Sequence, residues 1–368
     1  MIGNIAKEPA KKLESQRGTV YTPVSGWSYA HHPSITRFAG KFWATWSNGI
    51  KNEDDCGQRV MLAESEDGLH WENIRPVVTP EMLGDPKKVL TAGGFYSDGN
   101  QLNLYYGCYG YKKNSLKGDH TTSEQDQFHV GTHLGVITSN DGKNWSAPQR
   151  LEIQIVPNHG PQKTSSGRLI LSGNVMFPYT DNPDGINDYQ LTGIYGNAFQ
   201  GQPPCDDSES IQYVSQKNGW DALICEGSFY ETEDRVLHMM LRSNSDFLWC
   251  SESLDDGRTW SQPYKTQYSD DGSKFHFGRL PDGRYYGVNN SRVRAGRNPL
   301  DLHLSQDGEN FDRHFIIRDE PYEKQFEGMH KGGAYAYPHT LLDKGYLYVI
   351  YSKQKEAIEV TRILLDQL

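Results

Sequence analysis

Histidine, arginine, tyrosine and glutamate recur along this 368-residue sequence just before or inside runs of β-forming residues. His31-His32-Pro33 comes first, then His133, then Asn158-His159-Gly160-Pro161. Glu226-Gly-Ser-Phe-Tyr230 follows, with Arg242 on the returning run, and then Arg292, Arg294 and Arg297. Lys331 and Tyr335-Ala-Tyr337-Pro-His339 close the series. These residue types suit the cleavage of a sugar chain at an acidic sugar. Arginine is always charged and can grip a carboxylate through two parallel hydrogen bonds, which acidifies the neighbouring C–H. Histidine titrates near neutral pH and can take that proton, while tyrosine or a second histidine protonates the leaving oxygen. Such a β-elimination requires no metal or other cofactor. Glycoside hydrolysis normally uses two carboxylates, of which Glu226 is the one obvious member.

Each residue also has a structural reading. A histidine before a strand commonly satisfies a backbone group, an arginine on a strand forms a salt bridge, and a tyrosine packs. What favours a site is the recurrence of the pattern at equivalent places. His133, in Phe128-His-Val-Gly-Thr-His133-Leu, either points inward beside His159 or bonds a loop carbonyl. Glu53-Asp54-Asp55 and Asp206-Asp207 are candidates for structural calcium or for plain solvated turns. The sequence shows neither a Gly-rich phosphate loop nor a His/Cys metal spacing.

The elements that would position these residues are repeated. Ser65-Glu-Asp-Gly-Leu-His-Trp71, Ser139-Asn-Asp-Gly-Lys-Asn-Trp145, Ser253-Leu-Asp-Asp-Gly-Arg-Thr-Trp260 and Ser305-Gln-Asp-Gly-Glu-Asn-Phe311 are four versions of one turn, the Asp box. Its aspartate can bond turn N–H groups, and its glycine supplies a positive φ. Six hairpin patterns begin near Ser34, Gly94, Gln162, Ser228, His276 and His339. A repeat of this period predicts a propeller. The expected fold is all-β, with six four-stranded antiparallel blades, edges near residues 75, 150, 215, 265 and 320, and Asp boxes on the outer rim. A seventh, degenerate blade fits the spacing as well. The last blade lacks an outer strand, which an N-terminal strand near Thr19–Thr22 would supply. Residues 1–368 read as one catalytic domain with a polar leading segment, 1–18. The polar stretch from Asn182 to Gln216 reads as loops.

The net charge of −10 argues against nucleic acid as a partner, but not against an acidic oligosaccharide or polysaccharide held in a local basic pocket. Five cysteines without a CxxC read as mostly reduced, buried thiols. The first 17 residues are polar, and no run is long enough to span a membrane. The expected location is cytoplasmic, or secreted or periplasmic where a leader has been removed.

The Asp boxes resemble those of the sialidase superfamily of β-propellers, over most of the chain. Sialidases hold the substrate carboxylate with three arginines, the first in a Phe-Arg-Ile-Pro motif; here that place reads Ala30-His31-His32-Pro33. Glu226, Arg242 and Arg297 resemble the later glutamate and two arginines. Several other segments are similar to the branch that holds rhamnosyl-glucuronate lyases, ulvan lyases and a histidine-dependent α-L-rhamnosidase. They are His31-His32-Pro33, Trp46-Ser-Asn-Gly49 with Gly57-Gln-Arg-Val60, Asn158-His-Gly-Pro161, Gly296-Arg-Asn-Pro-Leu300, and Tyr337-Pro-His339 with Tyr351-Ser-Lys353. This resemblance implies a lyase set of His159, Arg242 and, as the nearest tyrosine, Tyr230. It also implies that the rhamnosidase's histidine corresponds to His31 or His32. The expected function is a carbohydrate-active enzyme. First comes a lyase acting at L-rhamnosyl-α-1,4-D-glucuronate or a similar uronate, next an α-L-rhamnosidase or sialidase-like hydrolase, and last a glycan-binding propeller without catalysis.

Overall fold

The computed structural model describes residues 1–111, 129–195, 208–292 and 296–368. Alternating apolar residues and frequent turn glycines produce six sheets among these residues. Sheet 1 holds strands Tyr29–Phe38, Lys41–Gly49, Arg59–Ser65 and Glu72–Val78. Sheet 2 holds Val89–Ser97, Leu102–Gly110, Val130–Ser139 and Gln149–Leu151. Sheet 3 is reduced to three short strands, Gln162–Lys163, Leu169–Ile170 and Tyr179–Thr180. Sheet 4 holds Ile224–Glu231, Leu237–Ser243, Phe247–Ser253 and Tyr264–Ser269. Sheet 5 holds His276–Arg279, Tyr285–Asn289, Leu300–Ser305 and Arg313–Arg318. Sheet 6 holds Tyr335–Asp343, Tyr346–Lys353 and Ala357–Leu364, and gains Gln16–Tyr21 as its outer strand, antiparallel to Ala357–Leu364.

Three features differ from the sequence reading. Sheet 3 has isolated bridges in place of a regular fourth strand: after the Pro- and Asp-rich turns that follow Thr180, the chain returns and pairs Gln190 with Tyr179 and Gly193 with Met176. The leading segment is tied into the fold. Lys11–Lys12 pairs in parallel with the last strand of sheet 5, and Ile2 and Leu13 are buried. The presumed loop ending at Gln216 contains an α-helix, Ser208–Asn218. Its few apolar residues, Val214 above all, dock on the core beside sheet 4, and this packing outweighs a polar composition with weak helical patterning. Edges expected near 75, 150 and 265 fall inside or at the ends of final strands, and 215 falls in the helix.

The core lies between neighbouring sheets. One apolar cluster joins sheets 1 and 2, one joins sheets 2, 3 and 4, one joins 4 and 5, one joins 5 and 6, and one joins 6 back to 1. Trp43 and Trp46 are both fully buried, and each such ring is worth roughly 2–3 kcal/mol of transfer free energy. Of the five cysteines, Cys56, Cys108 and Cys250 are buried, Cys225 is half-buried, and Cys205 lies outside the described residues. Among the described residues, no helix is long and apolar enough to cross a membrane.

The four Asp boxes share one hydrogen-bond pattern. In the second, Asp141 Oδ1 accepts from the backbone N–H groups of Lys143 at 2.8 Å and Asn144 at 2.7 Å. The first and fourth boxes repeat this through Asp67 and Asp307. In the third, one residue longer, Asp255 reaches Thr259 at 2.8 Å. The box glycines meet the preceding sheet: Gly68 touches Tyr348, Gly142 touches Trp43, Gly257 touches Ile170 and Gly308 touches Thr232. A Cβ on Gly142 would come within 2.2 Å of the Trp43 ring, and its φ is +73°. Gly142→Ala therefore combines backbone strain with overpacking and should lower the unfolding free energy by about 3 kcal/mol in urea titration. Gly99→Ala, also at positive φ but with nothing within 4 Å, should cost only about 1 kcal/mol. Equal losses at both sites would mean that the Asp-box contact contributes nothing.

Candidate active site

The first strands of four sheets bulge at the same end. The registers shift between His31 and Ser34, between Ala92 and Gly94, between Cys225 and Gly227, and between Ala336 and His339. In sheets 1, 4 and 6 the bulge turns a side chain out of the ladder, that of His32, Glu226 and Tyr337; in sheet 2 the turned residue is Gly93. In sheets 1 and 6 a proline follows the turned residue, giving His32-Pro33 and Tyr337-Pro338; a proline within a sheet is tolerated at such bulges. Around the bulges lies a cavity of ≈ 320 Å³, the size of a monosaccharide site. Its lining includes His32, Glu53, Asp54, Tyr109, Glu226, Arg242, Lys274, Arg297, Tyr337 and Lys355. Six of these hold a left-handed backbone: His32 at φ 55°, Asp54 at 58°, Glu226 at 45°, Arg297 at 57°, Tyr337 at 57° and Lys355 at 54°. Such strain costs of order 1 kcal/mol or more per residue and persists where surrounding packing enforces it. Its concentration around one cavity makes that cavity the candidate site.

Tyr337 is the hub. Arg242 donates to its hydroxyl at 2.8 Å, and that hydroxyl points at Glu226 Oε2 3.5 Å away. Arg242 also forms a short salt bridge with the same carboxylate oxygen. The Lys274 ammonium stands 5.0 Å from the Tyr337 ring centre and the Arg297 guanidinium 5.5 Å from it. The His31 ring packs on the other side, 4.0 Å between centroids. Burial works to raise the Glu226 carboxyl, but Arg242 and Lys274 outweigh it and hold the group below the usual range, so it is a carboxylate. Burial pushes the Tyr337 phenol well above its ordinary value, with Arg242 partly offsetting. Lys274 is brought down to about 8 by burial, against the pull of Glu226. Four cations and three carboxylates therefore share one small space, which is equipped to take an anion and to move a proton between tyrosine and glutamate.

Residues 40–349 match the family model described as a BNR repeat-like domain. The chain belongs to that family. No curated protein matches the sequence of this BNR domain. Among solved structures it is similar to a protein of unknown function from Dyadobacter fermentans, at 14% identity and a TM-score of 0.66, over 97% of this chain and all of that one. It is also similar to a Trypanosoma rangeli sialidase variant with trans-sialidase activity, at 14% identity and TM-score 0.62, over 96% of this chain and 60% of that one. A third is the NanB sialidase of Streptococcus pneumoniae, at 13% identity and TM-score 0.61, over 98% of this chain and 71% of that one. At these identities the likeness shows the fold, a sialidase-like propeller.

The BNR domain brings six of the expected residues together, namely His31, His32, Glu226, Arg242, Arg297 and Tyr337. The others lie elsewhere. His159 does not line the cavity. Its Nε2 faces the Phe275 carbonyl at 3.0 Å, and its ring packs with His276 and His339 in the middle of the molecule. His339 lines a separate cavity of ≈ 610 Å³ with His276. Tyr230 is buried in the core between sheets 4 and 5, where its hydroxyl donates to the Gly308 carbonyl at 2.6 Å. His133 turns back onto its own strand, its Nδ1 2.9 Å from the Gly131 carbonyl oxygen. Lys331 is not presented to a ligand either: its ammonium is wholly buried 3.0 Å from Glu356. Arg292 is exposed, and Arg294 and Asp206-Asp207 lie outside the described residues. The acidic run 53–55 is divided among partners. Glu53 pairs with Lys355 at 2.6 Å, Asp55 accepts from Asn52 N–H at 3.0 Å, and Asp54 meets Tyr109 and Gln58.

Lys274 and Lys355 had no sequence signal as site residues, because no motif surrounds them, and Asp54 stood out only as part of an acidic run suited to calcium or to a solvated turn. The shifted Lys274 gives a pH test. Its charge is lost as pH rises through about 8, so the affinity for a carboxylate probe such as N-acetylneuraminate or D-glucuronate should fall over that range in calorimetry. Lys274→Met should remove this inflection. The protein itself should not lose stability over the same range through this group. Folding penalises the charged Lys274, and that penalty fades as pH rises from about 8 toward the ordinary lysine value.

Proposed function

We propose that this BNR domain is a glycoside hydrolase that cleaves the bond of an anionic sugar with retention, Tyr337 acting as nucleophile. The observation that carries this reading is the Tyr337 hydroxyl shared between Arg242 and Glu226 inside the strained cavity. A tyrosine nucleophile is the known departure from the two-carboxylate scheme of glycosidases. Tyr337 Oη attacks the anomeric carbon and passes its proton to Glu226, while the Arg242 guanidinium stabilises the developing phenolate. The glycosidic C–O bond breaks, and the leaving oxygen takes a proton from Asp54. Of the three cavity carboxylates, Glu226 serves Tyr337 and Glu53 pairs with Lys355 at 2.6 Å, so we assign the acid's role to Asp54, which meets Tyr109 and Gln58. Water, deprotonated by Asp54, then displaces Tyr337, which takes its proton back from Glu226, and the sugar is released. Arg297 and Lys274 supply positive charge for the sugar's carboxylate. The trypanosomal sialidase, similar in fold, has been solved with 2,3-difluorosialic acid as a covalent intermediate, which agrees with this scheme. We read the six sheets as the six blades of a ring closed by Gln16–Tyr21.

A second reading is β-elimination at a uronate such as L-rhamnosyl-α-1,4-D-glucuronate. It is favoured by His32, whose ring lies 5.2 Å from that of Tyr337. The cavity thus offers a histidine, tyrosine and arginine set made of His32, Tyr337 and Arg242 rather than His159, Tyr230 and Arg242.

Incubation with fluorinated glycosyl fluorides of sialic, glucuronic and iduronic acids, followed by peptide mass spectrometry, separates the two. Hydrolysis predicts a sugar adduct on Tyr337 that Tyr337→Phe abolishes. It also predicts a kcat lower by ~10² or more in Asp54→Asn. An ultraviolet-absorbing unsaturated uronate among the products, with no adduct, would overturn the hydrolase in favour of the lyase.

A further inference from the structure

The corner of the cavity formed by sheet 1 holds a cluster that the reaction above does not use. One side-chain donor atom from each of His31, His32 and Glu53 lies within 4.8 Å of the others. His31 is fully buried, and its Nε2 has no hydrogen-bond partner. That nitrogen sits 3.9 Å from Glu53 Oε1, too far for a hydrogen bond and with room for one ion between.

We propose that His31, His32 and Glu53 form a binding site for a divalent transition-metal ion, with zinc the best match to the donor set. The surrounding bonds are those that orient metal ligands. A ligating histidine normally donates its other ring N–H to an oxygen. Here His31 Nδ1 lies 2.6 Å from Ser352 Oγ and His32 Nδ1 lies 3.2 Å from Ser47 Oγ, which leaves Nε2 as the free nitrogen of each ring. Ser352 passes its own proton to the Ala336 carbonyl at 3.3 Å, so the proton between it and His31 belongs to the imidazole. Glu53 is fixed in the same way: Lys355 takes Oε2 at 2.6 Å, and Tyr29 donates to Oε1 at 3.3 Å. Lys355 thus occupies the oxygen that does not face His31. Two imidazoles and one carboxylate are a set zinc accepts, and they leave a fourth position for an oxygen ligand. His32 and Glu53 line the sugar-sized cavity, so that oxygen can come from the substrate.

The test uses the full chain without any sugar, so its outcome is independent of the reaction proposed above. Protein stripped with a chelator is titrated with Zn²⁺ by calorimetry and, in parallel, with Co²⁺ by visible spectroscopy. The expected result is about one ion per chain, a higher Tm on loading, and cobalt d–d bands without a thiolate charge-transfer band. Glu53→Gln and His32→Ala should abolish binding. Because the charged corner could destabilise these variants, Ser352→Ala serves as the milder one; it leaves every ligand in place and should weaken affinity roughly tenfold or more. Circular dichroism of the metal-free variants establishes that they are folded. Failure of the folded wild type to bind Zn²⁺, or binding unchanged in both His32→Ala and Ser352→Ala, would overturn the site. A thiolate band would do so too, since it would move the ion to the other three-donor cluster, His238, Cys250 and Glu252.

Discussion

Each Asp box sits at a turn whose aspartate gathers the backbone N–H groups and whose glycine lies flat against the neighbouring sheet. This contact is the constraint the rest of the molecule depends on. A carboxylate accepting two backbone N–H groups is satisfied without a cation, so the turn is rigid even at the surface. The missing Cβ lets a tryptophan, tyrosine or isoleucine of the preceding sheet reach the turn backbone. The first box seats on Tyr348 of sheet 6, so the first and last parts of the chain are locked by the same device as the interior pairs. The apolar clusters fill the wedges behind these contacts.

Rigid sheet-to-sheet docking fixes the first strands, and only then can their bulges hold strained residues. The backbone of Glu226 and Tyr337 is left-handed although neither is glycine. Released from the ladder, their side chains meet over a chain separation of 111 residues. Arg242 arrives from the partner strand of the same sheet as Glu226, directly opposite Cys225 in register, which places its guanidinium between the carboxylate and the phenol.

The electrostatics follow from that crowding. Burying several charges in about 320 Å³ is costly unless they compensate one another. Glu226 with Arg242 and Glu53 with Lys355 do so. Arg297 and Lys274 are held instead by carbonyls, Gly272 at 3.0 Å and Asn158 at 3.2 Å, so their charge is less neutralised and is directed to whatever enters. The buried pair Lys331–Glu356 shows the opposite outcome, a charge fully spent on the fold.

The sequence by itself determined the repeat. Ser-x-Asp-Gly turns and period-two alternation are local properties, so the all-β class, the hairpins and the Asp-box chemistry were legible. It also named candidates, because histidine, arginine, tyrosine and glutamate recur at the entries of strands. His31, His32, Glu226, Arg242, Arg297 and Tyr337 were therefore found among the candidates. The sequence did not separate them from His159, Tyr230, His133, Lys331 and His339, which have the same residue types at similar places. That sorting depends on which end of a sheet a side chain faces and on what lies across from it. A one-residue bulge reverses the facing, and the partner sits on another sheet more than a hundred residues away. Lys274, Lys355 and Asp54 entered the cavity for the same reason. No local pattern distinguishes a lysine beside a tyrosine of another sheet from one in solvent, and only the packing of the sheets decided it.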